Sequence, residues 1–114
     1  MAANRLFELR TYHAAPGKLD DLQARFANHT LGFFAQYGME VVGFWVARDE
    51  NGQPSNDLVY LLAFPDAEAR ERSWDEFRAD PGWAKVRADS EVNGKLLISL
   101  DSVLLDPTSY SPMS

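Results

Sequence analysis

The chain has 114 residues, 46% of them hydrophobic, a formal net charge of −6 and no cysteine. Its length fits one domain that buries roughly two-thirds of its unfolded surface, and its acidity disfavours nucleic acid and anionic membrane as partners. Without cysteine there is no disulfide, thiolate catalysis or cysteine metal site; with neither a signal-peptide core nor an apolar run of ~20 residues, the expected location is cytoplasmic.

From Leu6 to His13 the side chains alternate between two faces, Glu8, Arg10 and Tyr12 following Leu6 on one, and Phe7, Leu9, Thr11 and His13 on the other. That is the period of a strand, and large apolar groups on both faces imply protein on both sides. Pro16 and Gly17 break the strand, with Pro16 suited to a first helical turn. Leu19, Leu22, Phe26, His29, Phe33 and Tyr37 then recur at three- and four-residue steps and predict one apolar helix stripe, with Lys18, Asp21, Arg25 and Asn28 largely outside it. Gly38 stands at the expected left-handed cap, and Val41 to Val46 has the composition of a buried strand.

A polar connector from Asp49 to Asp57 precedes the apolar run Leu58 to Phe64, so the second and third strands are expected to form a hairpin. Asp66 is placed to cap a second helix in which Ala67, Arg70, Trp74 and Phe77 share a face. Asp80, Pro81 and Gly82 interrupt it; a shorter helical piece carrying Trp83 and Val86 follows, ending near Asn93 and Gly94. Leu96 to Leu105 supplies the last strand, and residues 107–114 read as a tail after a single domain over residues 1–106.

The order βαββαβ predicts an α+β, ferredoxin-like fold with a four-stranded antiparallel sheet and the helices on one face. The apolar outer face then needs a cover. A second copy of the same sheet provides one, so a homodimer is expected.

The segments ELRTYHAAPGKLDDL, RFANHTLGFFAQYGME, VGFW, SNDLVYLLAF and FRADPGW, taken in order, resemble the NIPSNAP family over nearly the whole chain. The resemblance implies the dimeric α+β barrel fold, whose superfamily also holds cofactor-free monooxygenases, haem-degrading enzymes and small isomerases. It implies no settled catalytic activity for NIPSNAP proteins themselves. Eukaryotic members are associated with mitochondria and vesicle traffic; this chain begins with no Arg-rich leader, and the association is not carried over.

Several residues stand out as candidates for chemistry. Glu8 and Arg10 share a strand face and, if buried, need partners: a structural ion pair, with Arg70 as a further member, competes with an anion site at Arg10 or a general base at Glu8. Tyr12 extends that face as a ligand hydroxyl or a packing aromatic. His29, read as facing the sheet across from Glu8 or Tyr60, is either a hydrogen-bonded core residue or a proton shuttle. His13 is expected to be exposed and without a role. Trp74 and Trp83 read as core and corner anchor, whereas Trp45 competes between packing and lining a pocket.

Two histidines and no cysteine offer no recognised metal spacing, and no GxSxG elbow or phosphate-binding glycine loop is present. Neither a metal nor a cofactor is expected. The preferred reading is a homodimeric domain binding a small, partly apolar molecule between sheet and helices, with Arg10, Tyr12, His29, Trp45 and Tyr60 as contacts. A cofactor-independent oxygenase or isomerase using His29 or Glu8, and a non-catalytic interaction dimer, are the alternatives.

Overall fold

The computed structural model describes residues 5–113; Met1 to Asn4 and Ser114, assigned by the sequence to the ends of domain and tail, lie outside the described residues. Strands β1 (Leu6–Ala14), β2 (Glu40–Arg48), β3 (Pro54–Phe64) and β4 (Leu97–Leu105) form one antiparallel sheet in the order β2-β3-β1-β4. Register fixes which residues share a face: Glu8, Arg10 and Tyr12 stand opposite Leu62, Tyr60 and Leu58, and Phe44 opposite Tyr60. This face receives the helices. Its core combines Tyr60, Leu62 and Leu58 from β3 with Leu22, Phe26, Phe34, Trp74 and Phe77. Phe34 is its centre, 5.4 to 6.3 Å between ring centroids from Phe26, Tyr60, Trp74 and Phe77. Fully burying one such ring contributes about 1.5–3 kcal/mol.

The first helix runs through Leu19–Arg25, a π-helical turn Phe26–Thr30, and Leu31–Gln36. It starts after the Pro16–Gly17 turn rather than at Pro16, because Gly17 turns the chain at φ 74°. In the π segment Thr30 Oγ1 donates to the Arg25 carbonyl five residues back, at 3.3 Å. One extra residue in the turn rotates everything after it. The buried stripe therefore runs Leu22, Phe26, Thr30, Phe34, not through His29. Gly38, at φ 74°, ends the helix as its position suggests.

Asp66 caps the second helix (Ala67–Ala79) by accepting from Ala69 N at 2.7 Å. Asp80 closes it and opens the third (Pro81–Ser90): Oδ1 accepts from Gly82 N and Trp83 N, Pro81 occupies the first turn, and Oδ2 takes the Tyr37 hydroxyl. One carboxylate thus ties together the ends of three helices. Trp83 packs beside Phe77, ring centroids 4.8 Å apart, as an anchor for that corner.

β3 begins at Pro54, so the hairpin connector is shorter than its polar composition suggests; Asp49 Oδ1 accepts from Asn51 N and Gln53 N and makes the turn itself. The third helix stops at Ser90, short of Asn93. The helices leave β4 uncovered, and every residue from Ile98 to Leu105 is exposed. After β4 the chain continues in turns without regular structure. Among the described residues no helix is long and apolar enough to cross a membrane.

Candidate functional site

The strand period that puts Glu8 and Arg10 side by side also buries both. Glu8 is fully inaccessible and Arg10 is 7% exposed. An isolated carboxylate there would be costly, and four side chains converge on it. Arg10 Nη1 and Ser102 Oγ donate to Glu8 Oε2 at 2.8 and 2.6 Å, and Arg70 Nε and Trp74 Nε1 donate to Oε1 at 2.8 and 2.9 Å. Burial pushes the Glu8 carboxyl up, but the hydrogen bonds from Arg70, Ser102, Trp74 and Arg10 outweigh it and hold the group at about 2. A carboxylate so acidic and so fully bonded is a structural anion. Its basicity is spent, and it does not suit the general-base role that the sequence left open.

Arg10 distributes its fork in three directions. Nη1 holds Glu8, Nε donates to Tyr60 Oη at 2.8 Å and Nη2 to Tyr12 Oη at 3.1 Å, while the guanidinium lies 4.4 Å from the Trp74 ring centroid. Burial opposes the Arg10 charge, but Tyr12, Tyr60 and Glu8 hold it, and its pKa stands above the usual arginine value. Tyr60 Oη in turn donates to Tyr12 Oη at 2.9 Å. Burial pushes the Tyr60 phenol well above its ordinary value, so it stays protonated, and its only proton goes to Tyr12. Arg10 has no acceptor to offer. Hydrogen-bond arithmetic therefore leaves the Tyr12 proton unspent.

Tyr12 borders a cavity of about 310 Å³ between the sheet and the helices. Its apolar wall includes Phe26, Phe34, Trp74, Phe77, Trp83 and Leu97. Its polar groups are unbalanced in sign: Arg10, Arg25, Arg78, Arg87 and Lys95 face a single acid, Glu91. In a chain of net charge −6 this is a local reversal of potential.

The sequence candidates divide around this cavity. Tyr12 and Arg10 line it. Tyr60 does not; it is fully buried behind them and orients their polar atoms. His29 is exposed and borders a separate depression with Asp21, Asn28 and Val86, because the π turn carries it off the sheet-facing stripe. Trp45 follows Phe44 on β2, so strand alternation sends it to the opposite sheet face, where it is 52% exposed. His13 is not simply exposed: Nδ1 and Nε2 stand 2.8 and 2.9 Å from Asp57 and Asp101, and these hydrogen bonds raise its pKa.

Of the charged wall residues only Arg10 is a sequence candidate, and Arg25 and Lys95 escape for different reasons. Arg25, placed outside the helical stripe by its polarity, is 6% exposed; its position three residues after Leu22 was the available signal. Lys95 lies in the irregular segment before β4 and had no periodicity to reveal it.

Among solved structures, the chain is similar to an uncharacterized NIPSNAP domain protein from Burkholderia xenovorans: identity is 28%, coverage 94% of this chain and 98% of the other, and the TM-score 0.76. It is also similar to a NIPSNAP family protein of unknown function from Agrobacterium tumefaciens, at 19% identity, 100% and 97% coverage and a TM-score of 0.84. SnoaB, a cofactor-independent oxygenase from Streptomyces nogalater, matches at 19% identity, 96% and 99% coverage and a TM-score of 0.61. At these identities the last two speak for the fold alone, which is that of the dimeric α+β barrel class. A search of curated proteins gave no match. The NIPSNAP family model matches residues 7–112, nearly the whole chain, and the chain belongs to the NIPSNAP family.

Proposed function

We propose that this NIPSNAP domain is a homodimer that binds a small, partly apolar molecule in the cavity between sheet and helices. The carrying observation is the cavity itself: about 310 Å³, walled by aromatic rings, with the Tyr12 hydroxyl and several cations at its surface. A few polar groups in a mostly apolar concavity are the ordinary composition of a ligand site. Tyr12 is the proposed contact. Arg10 and Tyr60 act behind it, fixing its hydroxyl.

The dimer rests on the other sheet face, where Trp45, Val103 and Leu105 remain 40 to 52% exposed beside the half-buried Leu9, Val59 and Leu61. A contiguous apolar sheet face of this kind is the self-complementary surface that a two-fold partner covers.

Catalysis by Glu8 or His29 finds little support, since the first is fully bonded and the second stands outside the cavity. Native mass spectrometry of the purified protein tests the reading. It is expected to show a dimer, with a reproducible small mass where ligand survives purification. A monomer counts against the assembly; failure of any aromatic small molecule to bind counts against the site.

A further inference from the structure

Arg25 is the buried group of the cavity wall whose bonding is incomplete. It comes from the first helix, is 6% exposed, and its guanidinium stands 5.3 Å from the Trp83 ring centroid. Nη1 donates to Ser90 Oγ and Glu91 Oε2, both at 3.1 Å, anchoring the helix to the end of the third. Nε is buried and has no hydrogen-bond partner among the described residues. None of the hydrogen bonds that Arg25 forms leaves from Nη2.

This pattern has chemical direction. In a guanidinium, Nε–H and the neighbouring Nη2–H lie along one edge, and Nη1 lies away from it. The protein holds Arg25 by Nη1 and leaves the edge that matches a carboxylate bidentately. A buried donor without an acceptor is unfavourable, and an acceptor arriving there removes that penalty on binding. Glu91 is already engaged by Nη1, and among the remaining charged residues of the wall Arg10, Arg78, Arg87 and Lys95 are all cations.

We infer that the ligand is a flat, largely apolar molecule bearing one carboxylate, seated on the Nε/Nη2 edge of Arg25. A second acceptor on the ligand, such as a carbonyl or hydroxyl oxygen, takes the unspent Tyr12 proton. This inference rests on the binding reading above and narrows it to a substrate class. Arg25 acts by binding and orientation, with no bond made or broken.

The test uses two isosteric probes, 2-naphthoate and the neutral 2-naphthamide, titrated calorimetrically into the full chain, wild type and Arg25→Lys, at constant ionic strength. Lysine keeps the charge near Glu91 but lacks the planar edge. Wild type is expected to bind the carboxylate about 10-fold or more tighter than the amide, the magnitude of one charge-assisted hydrogen bond, and Arg25→Lys to lose that preference. In wild type the Arg25 Nε–Hε resonance should also shift with naphthoate and not with naphthamide, a readout independent of how the variant folds. Equal affinity for both probes, or an unmoved Nε–Hε resonance at saturation, overturns the carboxylate inference and leaves the cavity reading standing. Absence of binding by either probe at millimolar concentration overturns both.

Discussion

Glu8 and Arg10 stand two residues apart on one face of β1, and Arg10 Nη1 meets Glu8 Oε2 at 2.8 Å with both side chains almost completely out of water. The pair is one edge of a larger unit: Arg70, Trp74 and Ser102 complete the carboxylate, so one buried anion joins β1, β4 and the second helix. Breaking such a unit from one side leaves uncompensated charge. Glu8→Gln is expected to destabilise the protein by about 3–5 kcal/mol, read from urea unfolding at neutral pH. A change below ~1 kcal/mol would mean that the cluster is not held as described.

The same carboxylate sets an acid limit. Its pKa falls from 4.5 to about 2 on folding, so its stabilisation is fully present above pH 4.5 and is lost as pH falls through about 2. The amount is on the order of 3 kcal/mol. Unfolding free energies measured at pH 6, 4 and 2.5 should decline more steeply for wild type than for Glu8→Gln. Parallel declines would assign acid sensitivity to other carboxylates.

What the sequence revealed and what it hid follow from the two periodicities. Period two cannot slip without exchanging faces, so the grouping of Glu8, Arg10 and Tyr12 was legible, as was the candidate partner Arg70. Trp45 was not, because Phe44 and Trp45 are both aromatic and alternation alone does not say which of them meets the helices. His29 failed for another reason. A π turn adds a residue without altering composition, and Phe26–Thr30 contains nothing that marks it against an ordinary turn. Arg25 is not legible because charge usually points outwards, a tendency that its burial against Ser90 and Glu91 violates.

Tyr60 is expected to matter for the cavity without touching it. Tyr60→Phe keeps the ring stacked on Phe44, 4.7 Å between centroids, but removes the acceptor of Arg10 Nε and the donor to Tyr12. Leaving Arg10 Nε unpaired costs about 1–3 kcal/mol, visible in urea unfolding. Held then by Arg10 Nη2 alone, the Tyr12 hydroxyl is less firmly oriented, so affinity for 6-hydroxy-2-naphthoate, whose second oxygen can accept the Tyr12 proton, should fall as well. Unchanged stability and affinity would count against the triad.

His13 gives stability the opposite pH sign. Its pKa is raised by hydrogen bonds to Asp101 and Asp57, so its contribution is fully present below ~6.5 and is lost as pH rises through the higher folded value. A thermal-melt series upwards from pH 6 should show wild type losing more stability than Asp101→Asn, which removes the Nε2 partner. Superimposable pH profiles would show that the Asp101 contact, which joins β1 to the edge strand β4, contributes nothing in solution.

The uncovered sheet face makes the final prediction. β4 is an edge strand, and Val103, opposite Leu9 in the register, is 52% exposed on the face away from the helices. A lysine there meets water in a lone chain, and so costs the isolated fold little. In a dimer closed sheet to sheet it would instead bury an unpaired ammonium, which association cannot tolerate. Wild type is expected to sediment as a dimer at micromolar concentration and Val103→Lys as a folded monomer with an unchanged circular dichroism spectrum. A variant that remains dimeric would place the subunit contact elsewhere on the surface; a monomeric wild type would show that the exposed apolar face is tolerated without a partner.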